Sequence, residues 1–294
     1  MDVWSPAQYL RFAAERRLPF DALVALCERR DGGQGVDLGC GTGELTRELP
    51  ERLGLRHVLG VDLSEAMLAR ARGEGGEPTE LSASQEPGAQ TAEPSPLGEP
   101  SALPQTVTFA HSDLAQFTSP QPLDLVFSNA ALHWVPDHAS VLARLRAQLA
   151  PGGQLAIQLP CNGDHPAYAA IDETVQEQHA LFPGELPSVA SIANVETPER
   201  YLSILHGLGA SAVNVHMRVF PHVLAEPLHV LEWVRGTALH PFRVALPDDA
   251  AYAAFLASYE ARLRRTLGPP AMPYLFTFKR IFLWARFDEP AALR

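Results

Sequence analysis

Basic residues are scarce in this sequence: 23 lysines and arginines face 34 aspartates and glutamates, a net charge of −11 at pH 7 over 294 residues. That balance argues against a protein that tracks nucleic-acid phosphates, because such affinity comes from clustered cations. Cysteine is scarcer still. Cys27, Cys40 and Cys161 are widely spaced and odd in number, which suggests neither a disulfide framework nor a metal site, and suits a reducing cytoplasm. Nowhere do 18 apolar residues stand together, and Met1-Asp2-Val3-Trp4 lacks the basic region and apolar run of a leader, so no membrane partner is expected. What is present is enough to build a full core: 46% of the residues are hydrophobic, sufficient for one large domain or a domain with a cap.

The chain is organised around Val36-Asp37-Leu38-Gly39-Cys40-Gly41-Thr42-Gly43, where a short apolar run enters a glycine-rich turn and passes into an amphipathic segment. A buried parallel strand hands over to a helix in this way beneath a bound nucleotide. Glycines at 39, 41 and 43 give G-x-G-x-G, not the dinucleotide spacing G-x-G-x-x-G, and no Gly-Lys-Ser/Thr follows to make a P-loop. An NAD oxidoreductase is disfavoured on that spacing. Asp37 and Glu44 flank the turn with carboxylates, poor company for a pyrophosphate but suitable for a ligand carrying an ammonium and a sulfonium, such as S-adenosylmethionine. A second run, Val58-Leu59-Gly60-Val61-Asp62-Leu63, puts an acid at a strand end 19 residues beyond Gly43, where a carboxylate accepts ribose hydroxyls.

These residues resemble the class I S-adenosylmethionine-dependent methyltransferases. Asp37-x-Gly39-x-Gly41-x-Gly43 is similar to their first motif, Gly60-Val61-Asp62 to the second and His111-Ser112-Asp113-Leu114 to the third. Leu123 through Ala130 resembles the fourth, and Pro151-Gly152-Gly153 the turn before the fifth strand. The resemblance implies an α/β Rossmann-like fold: a mainly parallel seven-stranded sheet flanked by helices, with a helical cap. It further implies that Asp37, Gly39, Gly41, Gly43, Asp62, Leu63, Met67, Asp113, Leu114 and Asn129 bind the cofactor, with Asp113 accepting from the adenine amino group.

Within that superfamily, Trp4-x-Pro6-x-x-Tyr9-Leu10-x-Phe12-x-x-Glu15-Arg16-x-x-Pro19 resembles the N-terminal segment of the trans-aconitate methyltransferases, where it closes over the pocket. Leu231-Glu232-Trp233-Val234 through Phe242, and Phe278 through Phe282, resemble the same family. Read from the residues alone, Tyr9 and Phe12 serve equally well as core packing on a helix that Ser5 caps and Pro6 opens, with a second helix opening at Pro19. Residues 1–30 are therefore expected as an N-terminal helical cap segment, 31–160 as the cofactor-binding core, and 161–294 as a helical substrate cap with the closing strands. Helices are expected at 165–182, 197–208, 226–240 and 247–267, and strands at 212–219 and 276–287. Inside the core, residues 73–105 hold six prolines and six glutamates with no Asp, Lys or Arg, a composition expected to form a disordered surface insertion or an interaction tail.

His133 and Trp134 follow the fourth strand, at the sheet edge where ligands bind. His133 reads as a pocket-lining residue or as a general base; the resemblance favours the former, since related carboxyl methyltransferases carry Gln there. Trp134 reads as a wall of the acceptor site or as core packing. A carboxylate acceptor is already ionised at neutral pH, so methyl-ester formation needs orientation and no catalytic acid or base. A tricarboxylate would need forked cations, and Arg16, Arg243 and Arg280 are the candidates, with Tyr9 beside them. The expected function is methyl transfer to a small carboxylate, trans-aconitate first, by a monomer without a nucleic-acid partner. Competing readings are a malonyl-carrier-protein methyltransferase, another small-molecule O- or N-methyltransferase, and a non-catalytic cofactor-binding module.

Overall fold

A computed structural model describes residues 13–73, 105–189, 193–268 and 273–289, with side chains from residue 17 onward. Tyr9, the helix expected from Pro6 and the body of the Glu/Pro-rich insertion lie outside the described residues, as does the side chain of Arg16.

Seven strands form one sheet in the order β3-β2-β1-β4-β5-β7-β6. They are β1 (Gln34–Leu38), β2 (His57–Asp62), β3 (Thr106–His111), β4 (Leu123–Asn129), β5 (Leu149–Pro160), β6 (Ala212–Leu224) and β7 (Tyr274–Phe287). The first five pair in parallel, while β7 runs antiparallel between β5 and β6, as expected of a mainly parallel seven-stranded sheet. Strand order reverses between β1 and β4, and such a reversal opens a crevice at the carboxyl ends of the strands. The central strands read as short apolar runs because helices cover both faces; Val36, Leu38, Val126 and Phe127 are fully buried.

Helix boundaries follow local chemistry. Helix α1 (Ala13–Val24) continues through Pro19, so no second helix opens there. Proline donates no N–H to the carbonyl four residues earlier, a cost met by burial of Phe20, Leu23 and Val24 against the sheet. After the short helix α2 (Leu49–Leu53), α3 (Glu65–Arg72) starts where the Ser64 side chain accepts the Met67 N–H. It stops at Gly73, which takes a left-handed conformation. Helix α4 (His138–Ala147) is capped by Asp137 and leads into β5.

Beyond β5 the helices are α5 (Pro166–Glu177), α6 (Pro198–Gly207), α7 (His229–Arg235), α8 (His240–Ala245) and α9 (Asp249–Leu267). The single helix expected over 226–240 is thus two short ones, since Gly236 ends the first. Strand β6 extends past Val219 to Leu224, because each added residue finds a partner on β7. Helices α5, α7, α8 and α9 share a hydrophobic cluster with Phe276 and Phe278, distinct from the two clusters on the faces of the sheet. No helix among the described residues is long and apolar enough to cross a membrane.

One buried side chain ties the segment after α1 to the sheet. The Gln154 carboxamide accepts the Glu28 N–H and the Trp284 indole N–H, each at 2.8 Å, and donates to the Glu28 carbonyl at 2.8 Å. Gln154→Leu keeps the volume but strands these groups, and is expected to cost about 3 kcal/mol. Urea unfolding at constant m-value checks this; an unchanged midpoint would count against the role.

Candidate functional site

The turn after β1 is shaped by where its backbone donors go. Gly39 and Cys40 both donate to the Val61 carbonyl, at 2.8 and 3.0 Å, and Gly41 donates to Asp62 Oδ2 at 2.9 Å. The second acid of the sequence pattern therefore holds the glycine turn as well as facing the crevice. Gly39 has φ +79°, and a Cβ there would lie 2.1 Å from the Ala131 Cβ, so the β1 and β4 turns approach as only glycine allows. A Cβ on Gly43, at φ +71°, would meet the Phe109 ring at 2.5 Å, which makes Gly43 a packing residue on β3.

Above this turn lies a cavity of about 320 Å³. Eight of the ten expected cofactor residues line it: Gly39 and Gly41 from β1, Asp62, Leu63 and Met67 from the β2 end and α3, Asp113 and Leu114 after β3, and Asn129 after β4. Asp37 and Gly43 stand behind the wall. Ala130, Ala131, Trp134, Val135 and His240 complete the lining. His240, on α8, is brought in by the cap and carries no sequence signal; Ala130 closes the fourth motif and Ala131 follows it, and small apolar residues of this kind do not by themselves mark a ligand wall. Ala130 takes φ 56°, unusual for a residue with a Cβ, and its N–H is held by the Gln158 carbonyl at 2.9 Å.

The polar lining is rich in acceptors. Asp62 Oδ1 accepts the Ser64 N–H and Asp113 Oδ1 the Ala115 N–H, at 2.9 and 2.8 Å, leaving further lone pairs on each carboxylate. Asn129 Oδ1 is buried without a hydrogen-bond partner. A ligand with hydroxyl and amine donors and a positive charge satisfies that set, and S-adenosylmethionine carries a ribose diol, an adenine amino group, an ammonium and a sulfonium. Asp37 is fully enclosed, accepting the Thr46 hydroxyl at 2.6 Å. Burial pushes its carboxyl up to about 7; the Thr46 bond opposes that shift and the Asp62 charge adds to it.

Toward the cap, His133 is buried, with Trp134 beside it at 4.7 Å between ring centroids and His240 beyond, edge-on to Trp134 at 5.9 Å. Burial first, then the Arg280 and His138 charges, hold the His133 imidazole down to about 3, so it is neutral at pH 7. Asn194 donates to the His133 carbonyl at 2.9 Å. His138 bonds the Tyr201 hydroxyl and the Leu132 carbonyl, fixing the turn that carries Trp134. Arg280 is buried on β7 and donates to Gln158 Oε1 at 3.0 Å. Arg243 is not brought to the cavity: it pairs with Asp249 and lies over the Tyr252 ring, within the cap. Its helix buries Phe242 instead, turning the arginine outward.

Known proteins resemble this chain in sequence and in fold. The family described as a methyltransferase domain matches residues 9–208. Trans-aconitate 2-methyltransferase of Deinococcus radiodurans is 37% identical over 276 residues, covering 93% of this chain and 95% of that one. The enzyme of the same name from Methylobacterium nodulans is 36% identical, covering 96% and 98%. Among solved structures, the YcgJ protein of Bacillus subtilis is similar with a TM-score of 0.54 at 14% identity, covering 93% of this chain and 99% of that one. Phosphoethanolamine N-methyltransferase 2 of Haemonchus contortus, bound to phosphomonomethylethanolamine and S-adenosylhomocysteine, gives 0.50 at 19%, covering 92% and 53%. At such identities these two structures speak to the fold alone.

Two expectations follow from the turn. Asp62→Ala releases the Gly41 N–H and removes an acceptor from the cavity, so S-adenosylhomocysteine affinity measured by calorimetry should fall at least about tenfold; undiminished affinity would remove Asp62 from the site. Asp37, with its folded pKa raised from 3.8 to about 7, keeps a proton that the unfolded chain loses. Its contribution is intact below about pH 4 and is lost as pH rises through 7. Between pH 4 and 7 the parent should therefore lose stability relative to Asp37→Asn in thermal melts, with the difference levelling off above pH 7, whereas a pH-independent difference would contradict the buried neutral acid.

Proposed function

The chain belongs to the trans-aconitate 2-methyltransferase family of S-adenosylmethionine-dependent methyltransferases, and we propose that it forms a methyl ester on one carboxylate of trans-aconitate. The observation that carries this reading is the span of the similarity. It runs over 93% of this chain and 95% of the Deinococcus enzyme, and so includes the cap, where the acceptor is chosen, as well as the cofactor core.

S-adenosylmethionine supplies an electrophilic methyl group on a sulfonium. Asp62 and Asp113 accept hydroxyl and amine hydrogens from it, Asn129 Oδ1 takes a third donor, and Leu63, Met67 and Leu114 pack on its apolar parts. Gly39 and Gly41 let the backbone approach. The acceptor oxygen needs no deprotonation, because a carboxylic acid with a pKa near 4 is ionised at neutral pH. His133, neutral and held to about 3, is suited to hydrogen bonding and too weak to serve as a base. Rate acceleration then comes from holding the oxygen about 3 Å from the methyl carbon and in line with its bond to sulfur. Trp134 forms the wall between cofactor and acceptor, and Arg280 supplies cationic charge to the acceptor. Residues 31–160 bind the cofactor and the helices of 161–294 select the acceptor. The protein acts as a cytoplasmic monomer on a small molecule, without nucleic acid.

The test is release of S-adenosylhomocysteine with trans-aconitate, followed by detection of the monomethyl ester. His133→Gln should retain kcat within about threefold, whereas loss of a working base costs roughly 10²-fold or more. Turnover with a catechol or an amine but not with trans-aconitate would overturn the assignment.

A further inference from the structure

Away from the cofactor cavity, the carboxyl end of β5 and the facing parts of β6 and β7 carry polar side chains where an α/β core is normally apolar. Gln158 is 0% exposed, His222 3% and Arg280 4%. Strand register explains how they meet. Arg280 stands opposite Pro160, Gln158 opposite Phe282 and His222 opposite Phe276. Directly paired residues, and residues two apart on one strand, share a face, so all three side chains emerge on the same side of the sheet.

Their hydrogen bonding is incomplete. Arg280 donates to Gln158 Oε1, which orients the carboxamide and leaves its Nε2 buried with no acceptor. Both ring nitrogens of His222 are buried without partners, and so is Nδ1 of His133, which also feels the Arg280 charge. Aromatic rings wall the cluster: Phe278 lies 4.7 Å from the Arg280 guanidinium carbon and 5.8 Å from the His222 ring, and Trp233 lies 4.5 Å from His222. Several unsatisfied polar atoms on converging side chains are costly in a finished core and are what a ligand site leaves when viewed from the protein side. The available hydrogens are amide and imidazole N–H groups beside a guanidinium charge, a set that matches carboxylate oxygens.

We propose that Gln158, His222 and Arg280, together with Nδ1 of His133, form a buried subsite that binds the carboxylates of a polycarboxylate acceptor which do not receive the methyl group. The subsite rests on the reading that the acceptor is such an anion, and gives it a specificity-determining residue, His222, that no motif marks. Burial, then the Arg280 charge, hold His222 down to about 4, so at neutral pH it contributes an N–H while the guanidinium contributes the charge. The remaining carboxylates then anchor the acceptor, and the reacting carboxylate is left toward Trp134 and the cofactor cavity.

The experiment is equilibrium binding of trans-aconitate and of the monocarboxylate crotonate to protein saturated with S-adenosylhomocysteine, with His222→Phe and Gln158→Met compared with the parent. His222→Phe keeps a planar ring and Gln158→Met an unbranched chain of similar length, and the two lie on different strands, so a folding failure of one leaves the other to decide. Each should weaken trans-aconitate binding at least about tenfold while crotonate and S-adenosylhomocysteine affinities stay within about twofold. In turnover the loss should appear chiefly in KM. Parent-like affinity for trans-aconitate in a folded variant overturns the subsite, as do equal losses for trans-aconitate and crotonate, or a parent protein that does not bind trans-aconitate. A parent that binds trans-aconitate through these residues yet releases no S-adenosylhomocysteine would overturn the proposed activity and leave the subsite standing.

Discussion

Everything at the ligand edge of the sheet depends on how the turn after β1 disposes of its N–H groups. Three successive donors, from Gly39, Cys40 and Gly41, are taken by the end of β2, two by the Val61 carbonyl and one by the Asp62 carboxylate. The turn is thereby pinned against its neighbour, with Gly39 and Gly41 at the wall of the crevice. Pinning brings the β4 turn so close that a Cβ on Gly39 would overlap Ala131. Asp62 is shared between holding this turn and facing the cavity, so the geometry of the wall and the chemistry of the ligand are set by one carboxylate. Asp37, one turn below, reinforces the same arrangement from inside the core through Thr46.

That these strand-end residues line one cavity is legible in the sequence because its determinants are local. Gly39, Gly41, Asp62, Asp113 and Asn129 each occupy a strand end or the turn that follows it, and parallel strands brought side by side put strand ends in one row. A motif gives spacing without telling which residues face inward, and Asp37 and Gly43 stand behind the wall that Gly39 and Gly41 form. On the acceptor side the determinants are distant in sequence. Gln158, His222 and Arg280 meet only through the registers of β5 with β7 and β7 with β6, and a one-residue slip would send any of them to the opposite face. His240 reaches the cavity because Gly236 breaks the cap helix and starts a new one. Arg243, attractive as a forked cation in a sequence poor in them, is consumed by Asp249.

The two polar groupings are opposite in character, with Trp134 in the lining of the first and its neighbour His133 in the second. The cavity is lined by carboxylate and carboxamide oxygens, which suit a cationic cofactor; the cluster on β5, β6 and β7 carries N–H groups and one guanidinium, which suit an anionic acceptor. A protein of net charge −11 gains little from long-range attraction of a polyanion. It can still hold one by short-range donors in a dry site, where charge interactions are several times stronger than in water.

Neutral histidines suit that task better than charged ones. Placing further cations beside Arg280 would raise the cost of building the site, since each added buried charge must be desolvated. His133 and His222, kept neutral by burial and by Arg280 itself, lower that cost while still offering directed hydrogen bonds. The neutrality that disqualifies His133 as a base is therefore the condition under which it and His222 can stand next to a buried guanidinium at all.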